Sequence, residues 1–157
     1  MPRICLFPGT FDPVTLGHTD IINRALPLFD KLYIGIGRNT NKQPMFSEVQ
    51  RLGWLQEIYK GNDKVEAIAY DGLTVDCCKE VGANFILRGI RYVNDFEYEK
   101  AIADMNRSIA ESIETIFLTC LPQYTSVAST LVRDVLRNGG DVSKFLPPEV
   151  NETIRKI

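Results

Sequence analysis

The stretch Ile4-Cys5-Leu6-Phe7-Pro8-Gly9-Thr10-Phe11-Asp12-Pro13-Val14-Thr15-Leu16-Gly17-His18 decides how the chain is read. Ile4 to Phe7 is an apolar run with no polar face, the pattern of a strand covered on both sides. Pro8 to Pro13 is rich in turn formers. From Leu16 the spacing turns helical, with Ile21, Ile22, Ala25, Leu26 and Phe29 on one face. A buried strand, a glycine-bearing turn and a helix form the opening of a βαβ unit.

The rest of the chain repeats that alternation. Strands are expected at Lys31–Gly37, Lys64–Tyr70, Asn84–Arg88 and Glu114–Cys120. A polar loop from Arg38 to Phe46 leads to a helix opened by Ser47, with Gln50 as its capping-box partner. That helix should bury Leu52, Leu55 and Ile58 and stop at Gly61. Further helices are expected at Thr74–Val81, ending at Gly82, and at Asp95–Ile109, with Ile102, Met105 and Ile109 inward. From Ala128 the chain reads as helical, with a break at Gly139-Gly140 and a restart near Pro147-Pro148. Short apolar strands alternating with helices predict an α/β fold, a Rossmann-like five-stranded parallel sheet with helices on both faces, in a single domain over 1–157.

Composition narrows the class. The chain has 157 residues, 45% of them hydrophobic, enough for a core without disulfide or metal staples. Its 18 Lys and Arg against 20 Asp and Glu give a net charge of -2, unlike the basic balance of a general nucleic-acid binder. No apolar run approaches the roughly 18 residues of a membrane span. Met1-Pro2-Arg3 enters the first strand without the apolar region of a signal peptide. Cys5, Cys77, Cys78 and Cys120 show neither a CxxC pair nor zinc spacing and read as buried free thiols. A cytoplasmic domain with no nucleic-acid or membrane partner is expected.

In doubly wound sheets ligands bind outside the carboxyl ends of the strands. That rule selects segments 8–18, 37–46, 70–74, 88–95 and 120–130. The helix beginning near Leu16 offers unpaired N–H groups to an anion, and Gly9 and Gly17 let backbone come close to it. No Gly-Lys-Ser/Thr follows, so this is not a P-loop, and the GxGxxG fingerprint is missing too. His18, the chain's one histidine, lies in the first helical turn beside that anion site. Arg88 and Arg91 flank Gly89 at the end of the fourth strand, where guanidinium forks suit phosphate oxygens.

Gly9-Thr10-Phe11-Asp12-Pro13 followed by Thr15-Leu16-Gly17-His18 resembles the signature of adenylyl- and cytidylyltransferases, Gly-x-Phe-Asp-Pro with [His/Thr]-x-Gly-His. Nearly end to end, the chain is similar to the bacterial phosphopantetheine adenylyltransferase family. Thr15 in place of a first histidine points there, as do Arg88-Gly89-Ile90-Arg91 and Asp95-Phe96-Glu97-Tyr98-Glu99. Met105-Asn106-Arg107, Asn39 to Met45 around Lys42, and Gly140 to Pro147 agree. Two departures stand out: Ala128-Ser129-Thr130 where relatives carry a run of serines, and Tyr124 where they often carry tryptophan.

The resemblance implies adenylyl transfer from ATP to 4′-phosphopantetheine, giving dephospho-coenzyme A and pyrophosphate in coenzyme A biosynthesis. Attack is in line, without a covalent enzyme intermediate, and an anionic phosphate nucleophile needs no general base. His18, Lys42 and Arg91 are implied as catalytic. ATP is implied to contact Thr10, Phe11, His18, Gly89, Ile90, Arg91 and Glu99, together with Tyr124, Thr125, Ser126, Val127, Ala128, Ser129 and Thr130. Thr10, Lys42 and Arg88 are implied for the acceptor, with Leu73 and Thr74 contacting its arm chiefly through backbone. Mg²⁺ held mostly by ATP, a homohexamer and feedback inhibition by coenzyme A complete the implied picture. A transferase for another acceptor, such as nicotinate mononucleotide or glycerol phosphate, is disfavoured by Thr15 and the Arg88–Glu99 stretch. A non-catalytic nucleotide sensor would be expected to lack His18 or Lys42.

Overall fold

In the computed structural model, residues 1–38 and 41–156 are described; Asn39 and the chain's last position, which the expectations above include, lie outside them. The strands are β1 (Ile4–Gly9), β2 (Lys31–Gly37), β3 (Val65–Tyr70), β4 (Phe85–Ile90) and β5 (Glu114–Thr119). The helices are α1 (Leu16–Ala25), α2 (Glu48–Ile58), α3 (Thr74–Val81), α4 (Val93–Ile109), α5 (Ser129–Arg137) and α6 (Pro148–Ile154). All strand pairs are parallel, in the order β3-β2-β1-β4-β5. The chain builds outward from β1 to β3 and then returns to place β4 on the other side, so the switch point lies between β1 and β4.

Strand register opens a crevice at that point. β2 stays paired with β1 from Lys31–Ile4 to Ile36–Gly9, whereas β1 and β4 are registered only at Cys5–Phe85 and Leu6–Ile86. Beyond Leu6 the two central strands part, and their last residues border a cleft at the carboxyl edge.

Alternation along β1 feeds two cores. Cys5 and Phe7 join Ile22, Ile34, Trp54, Leu55, Leu87, Val132 and Val150 on one face. Leu6 joins Val75, Cys77, Cys78, Ile86, Ala110 and Ile113 on the other. The capping box of α2 is present: Ser47 Oγ accepts from the Gln50 N–H at 3.1 Å, and Gln50 Oε1 from the Ser47 N–H at 3.0 Å. Gly82 closes α3 at φ +72°, a conformation that glycine adopts without strain.

The structure corrects several expectations. α2 buries Trp54, Leu55 and Arg51, leaving Leu52 and Ile58 half-buried at the core's edge. α4 begins at Val93, and Asp95 is its N3 residue. Ile102, Met105 and Ile109 face outward, and Glu99 is the one buried residue of α4. Periodicity identifies an apolar face but not what covers it, and within the described chain nothing covers this one. Cys120 is half-buried, while the other three thiols are buried. Among the described residues no helix is long and apolar enough to cross a membrane.

Candidate active site

The parted ends of β1 and β4 open into a cleft of about 970 Å³. A smaller cavity of about 250 Å³ adjoins it, and the two share Pro8, Gly9, Thr10, Gly37, Arg88 and Glu99. Thr10, Phe11, His18, Lys42, Arg88, Gly89, Arg91, Glu99 and Val127 to Thr130 all line the cleft, and Thr74 lines the smaller cavity. Leu73, Ile90, Tyr124, Thr125 and Ser126 line neither. Leu73 is the exposed N-cap of α3, and Tyr124 ends the short turn Pro122–Tyr124.

His18 is N3 of α1 and is held by the N-cap. The Thr15 N–H donates to His18 Nδ1 at 2.9 Å, and the His18 N–H donates to Thr15 Oγ1 at 3.4 Å. A nitrogen that accepts a backbone N–H carries no proton, so the neutral ring bears its hydrogen on Nε2. Phe11 packs edge-on against the imidazole, centroids 4.9 Å apart. Burial, then the positive charges of Arg88 and Arg91, lower the His18 pKa to about 4. At neutral pH His18 is therefore an uncharged hydrogen-bond donor.

Arg88 is fixed before any ligand arrives. Its Nε and Nη2 donate to the two oxygens of Glu99 at 2.8 and 2.7 Å, and Nη1 donates to the Pro8 carbonyl across the parted strands. Three of the five N–H groups of a guanidinium are thereby used, leaving two for a phosphate. Glu99 is 8% exposed, and its charge is matched by the ion pair with Arg88. Asp95 performs a similar task for Arg91. Its Oδ2 accepts the N–H groups of Arg91 and Tyr92 at 3.1 and 3.2 Å and lies 3.5 Å from Arg91 Nε.

A buried polar network, invisible to motif reading, ties the loops of the cleft together. Asp12 accepts from the backbone N–H groups of Met45 and Phe46 at 2.8 and 2.9 Å. Arg51, 5% exposed, donates to the carbonyls of Phe46 and Thr10 at 3.0 and 2.8 Å. Arg133 donates to the Asp12 carbonyl at 2.8 Å, and Ser129 Oγ to that of Pro13 at 2.9 Å. The Lys42 loop, the β1–α1 turn and the start of α5 are thus one hydrogen-bonded unit. Nothing in the sequence signals Arg51; Asp12 carries a signal only as a member of its motif. Ala128, the N-cap of α5, offers no side-chain acceptor, so the first N–H groups of α5 stay available to a ligand.

Each carboxylate lining the cleft already has partners. Asp12 holds Met45 and Phe46, Glu48 and Asp71 hold Arg38, Asp95 holds Arg91, and Glu99 holds Arg88. Among the described residues no cluster of three or more His, Cys, Asp or Glu could hold a metal ion. The carboxylates of the cleft are thus engaged by cations and backbone N–H groups rather than grouped as an all-protein Mg²⁺ cage.

A parallel sheet parted at its switch point, with a Thr-x-Gly-His helix start and phosphate-matching cations around the opening, defines a nucleotidyltransferase-type site. The family model described as cytidylyltransferase-like matches residues 6–135. A crystal structure titled as a putative nicotinate-nucleotide adenylyltransferase from Vibrio parahaemolyticus shares the fold, with a TM-score of 0.72 at 21% identity over 99% of both chains. The phosphopantetheine adenylyltransferase of Flavobacterium psychrophilum is 51% identical over 94% of this chain and 97% of its own. That of Ruegeria pomeroyi is 43% identical over 98% and 96%. The chain belongs to the phosphopantetheine adenylyltransferase family of cytidylyltransferase-like proteins.

Proposed function

We propose that this chain transfers the adenylyl group of ATP to 4′-phosphopantetheine, releasing pyrophosphate and forming dephospho-coenzyme A. A phosphate oxygen of the acceptor bonds to the α-phosphorus while the bond from that phosphorus to the bridging oxygen of the β-phosphate breaks. The electron pair leaves with pyrophosphate. The acceptor phosphate is already anionic, so alignment and charge stabilisation are the protein's tasks.

The observation that carries this reading is His18: neutral, with no acceptor for its Nε2 proton among the described residues, at the start of α1 beside Arg88 and Arg91. It donates to the equatorial oxygens of the transferring phosphoryl group. The helix terminus alone contributes only about 0.3–1 kcal/mol, up to ~2 when partly buried, so cations must supply more. Lys42 orients both substrates, Arg91 stabilises the triphosphate, and Arg88 spends its two uncommitted N–H groups on the acceptor phosphate. Thr10 lines both the cleft and the smaller cavity, which supports a role for its hydroxyl between the two substrates. Mg²⁺ enters as part of the MgATP substrate, and no step depends on a protein ligand to it.

Coenzyme A carries both the acceptor's arm and the product's nucleotide, so it would compete for this cleft as a feedback inhibitor. The outward apolar face of α4 supports assembly into a homohexamer, and a cytoplasmic setting fits the four unpaired thiols. A panel of 4′-phosphopantetheine, nicotinate mononucleotide and glycerol phosphate, each with ATP and a pyrophosphate readout, tests the acceptor. Turnover confined to 4′-phosphopantetheine is expected; preference for either of the others would overturn the assignment.

A further inference from the structure

Gly37 of β2 is registered opposite Tyr70 of β3, and Gly35 lies two residues before it on the same face. The Tyr70 ring occupies the space those side chains would fill. A methyl group placed on Gly35 would fall 3.0 Å from Tyr70 Cε1, and one on Gly37 would fall 3.3 Å from the tyrosine hydroxyl. Laid across β2 in this way, the ring carries its hydroxyl to the first residue of α3, 2.9 Å from Thr74 Oγ1. Both side chains line the 250 Å³ cavity, whose other walls include Ile86, Ile102 and Ala103.

Two hydroxyls in one hydrogen bond use one proton between them. The second proton has no acceptor among the described residues, and lone pairs remain on both oxygens. Burial pushes the Tyr70 phenol above its usual pKa, so it keeps its proton at working pH. The pair therefore presents a donor and an acceptor together on a largely apolar wall. A trans secondary amide turns its N–H and C=O to opposite sides, and whichever edge faces this wall, N–H or C=O, meets the acceptor or the donor it needs. The cavity joins the cleft at Arg88, so a molecule whose phosphate meets Arg88 can extend its arm past this pair.

We propose that the Tyr70–Thr74 hydroxyl pair is a specificity-determining element that reads an amide of the acceptor's arm while Arg88 holds the acceptor's phosphate. The proposal rests on 4′-phosphopantetheine, whose arm carries amides, being the acceptor. It assigns Thr74 a side-chain role beyond the backbone contact that the family resemblance implies.

The test is steady-state kinetics of the full chain with 4′-phosphopantetheine varied at saturating ATP, for the wild type, Tyr70→Phe, Thr74→Val, Thr74→Ser and the Tyr70→Phe/Thr74→Val double variant. Tyr70→Phe and Thr74→Val should each raise KM for the acceptor about tenfold, the scale of one neutral hydrogen bond. kcat and the KM for ATP should stay within about twofold, and the double variant should be little worse than either single one because the pair acts as a unit. Thr74→Ser, which keeps the hydroxyl, should recover the KM lost in Thr74→Val. An unchanged acceptor KM in Tyr70→Phe overturns the pair's role, as does a parallel loss of kcat and ATP affinity, or a Thr74→Ser variant no better than Thr74→Val. Wild-type protein that fails to use 4′-phosphopantetheine overturns the function and this proposal together, whereas wild-type turnover with an unaffected Tyr70→Phe overturns the proposal alone.

Discussion

His18 shows how much one residue's surroundings decide. Its type and position were legible in the sequence, but its charge was not. The tautomer follows from the Thr15 N–H, and the lowered pKa follows from burial and two arginines on β4 and the turn after it, far away in the chain. Because the protein has a single histidine, its ring resonance can be followed by NMR without assignment ambiguity. No titration step is expected between pH 5.5 and 8, and the midpoint should lie near 4; a midpoint near 6.5 would contradict the neutral-donor role. The linkage has a definite sign: below about pH 6.5 the unfolded chain binds a proton at His18 that the folded chain refuses, so this residue makes acidification destabilising. His18→Ala should lower kcat by about 10²–10³-fold, comparable to loss of one transition-state donor, with an unchanged fold by circular dichroism. Near-wild-type turnover would remove the role.

Arg88 combines two tasks in one side chain. Read from sequence it is a phosphate ligand; in the structure it is also the counter-charge of buried Glu99. Arg88→Ala should therefore lose stability as well as acceptor affinity, at about 3–5 kcal/mol for stranding a buried charge. Arg88→Ala/Glu99→Ala should recover most of the melting temperature while calorimetry still shows weak acceptor binding. Recovery of both would take Arg88 out of the acceptor site.

At the scale of elements, the strands and the α2 capping box were legible because both are written in consecutive residues. The buried network was not, since Asp12 meets Met45 across 33 positions of chain. α4 shows the opposite failure: its apolar spacing was clear, yet the face it marks points outward. The network makes a prediction about the Lys42 loop. Asp12→Ala strands the buried Phe46 N–H, at about 1–3 kcal/mol, and leaves the half-buried Met45 N–H without its acceptor. The amides of Met45 and Phe46 should then exchange with solvent hydrogen much faster, and the melting temperature should fall. Unchanged exchange at both amides would show that Asp12 does not anchor the loop.

For the whole molecule, a net charge of -2 differs from the basic balance of a general nucleic-acid binder yet is compatible with a nucleotide pocket. Lys42, Arg88, Arg91 and Arg133 gather around one cleft of an otherwise acidic chain. Tyr98, Ile102, Met105 and Ile109 fall on one face of α4 at helical spacing, and all are exposed. We propose this stripe as the assembly surface of the hexamer. Sedimentation of the wild type should give a hexamer of 17.8 kDa chains, and Met105→Glu should shift it to smaller species. A wild type that sediments as single chains would refute that assembly.

Adenylyl transfer itself is tested by a time course of purified chain with MgATP and 4′-phosphopantetheine, following both products. Pyrophosphate and dephospho-coenzyme A should form in equal amounts, with neither formed when the acceptor is omitted. Pyrophosphate or phosphate release without dephospho-coenzyme A, or no turnover of this substrate pair, would contradict it.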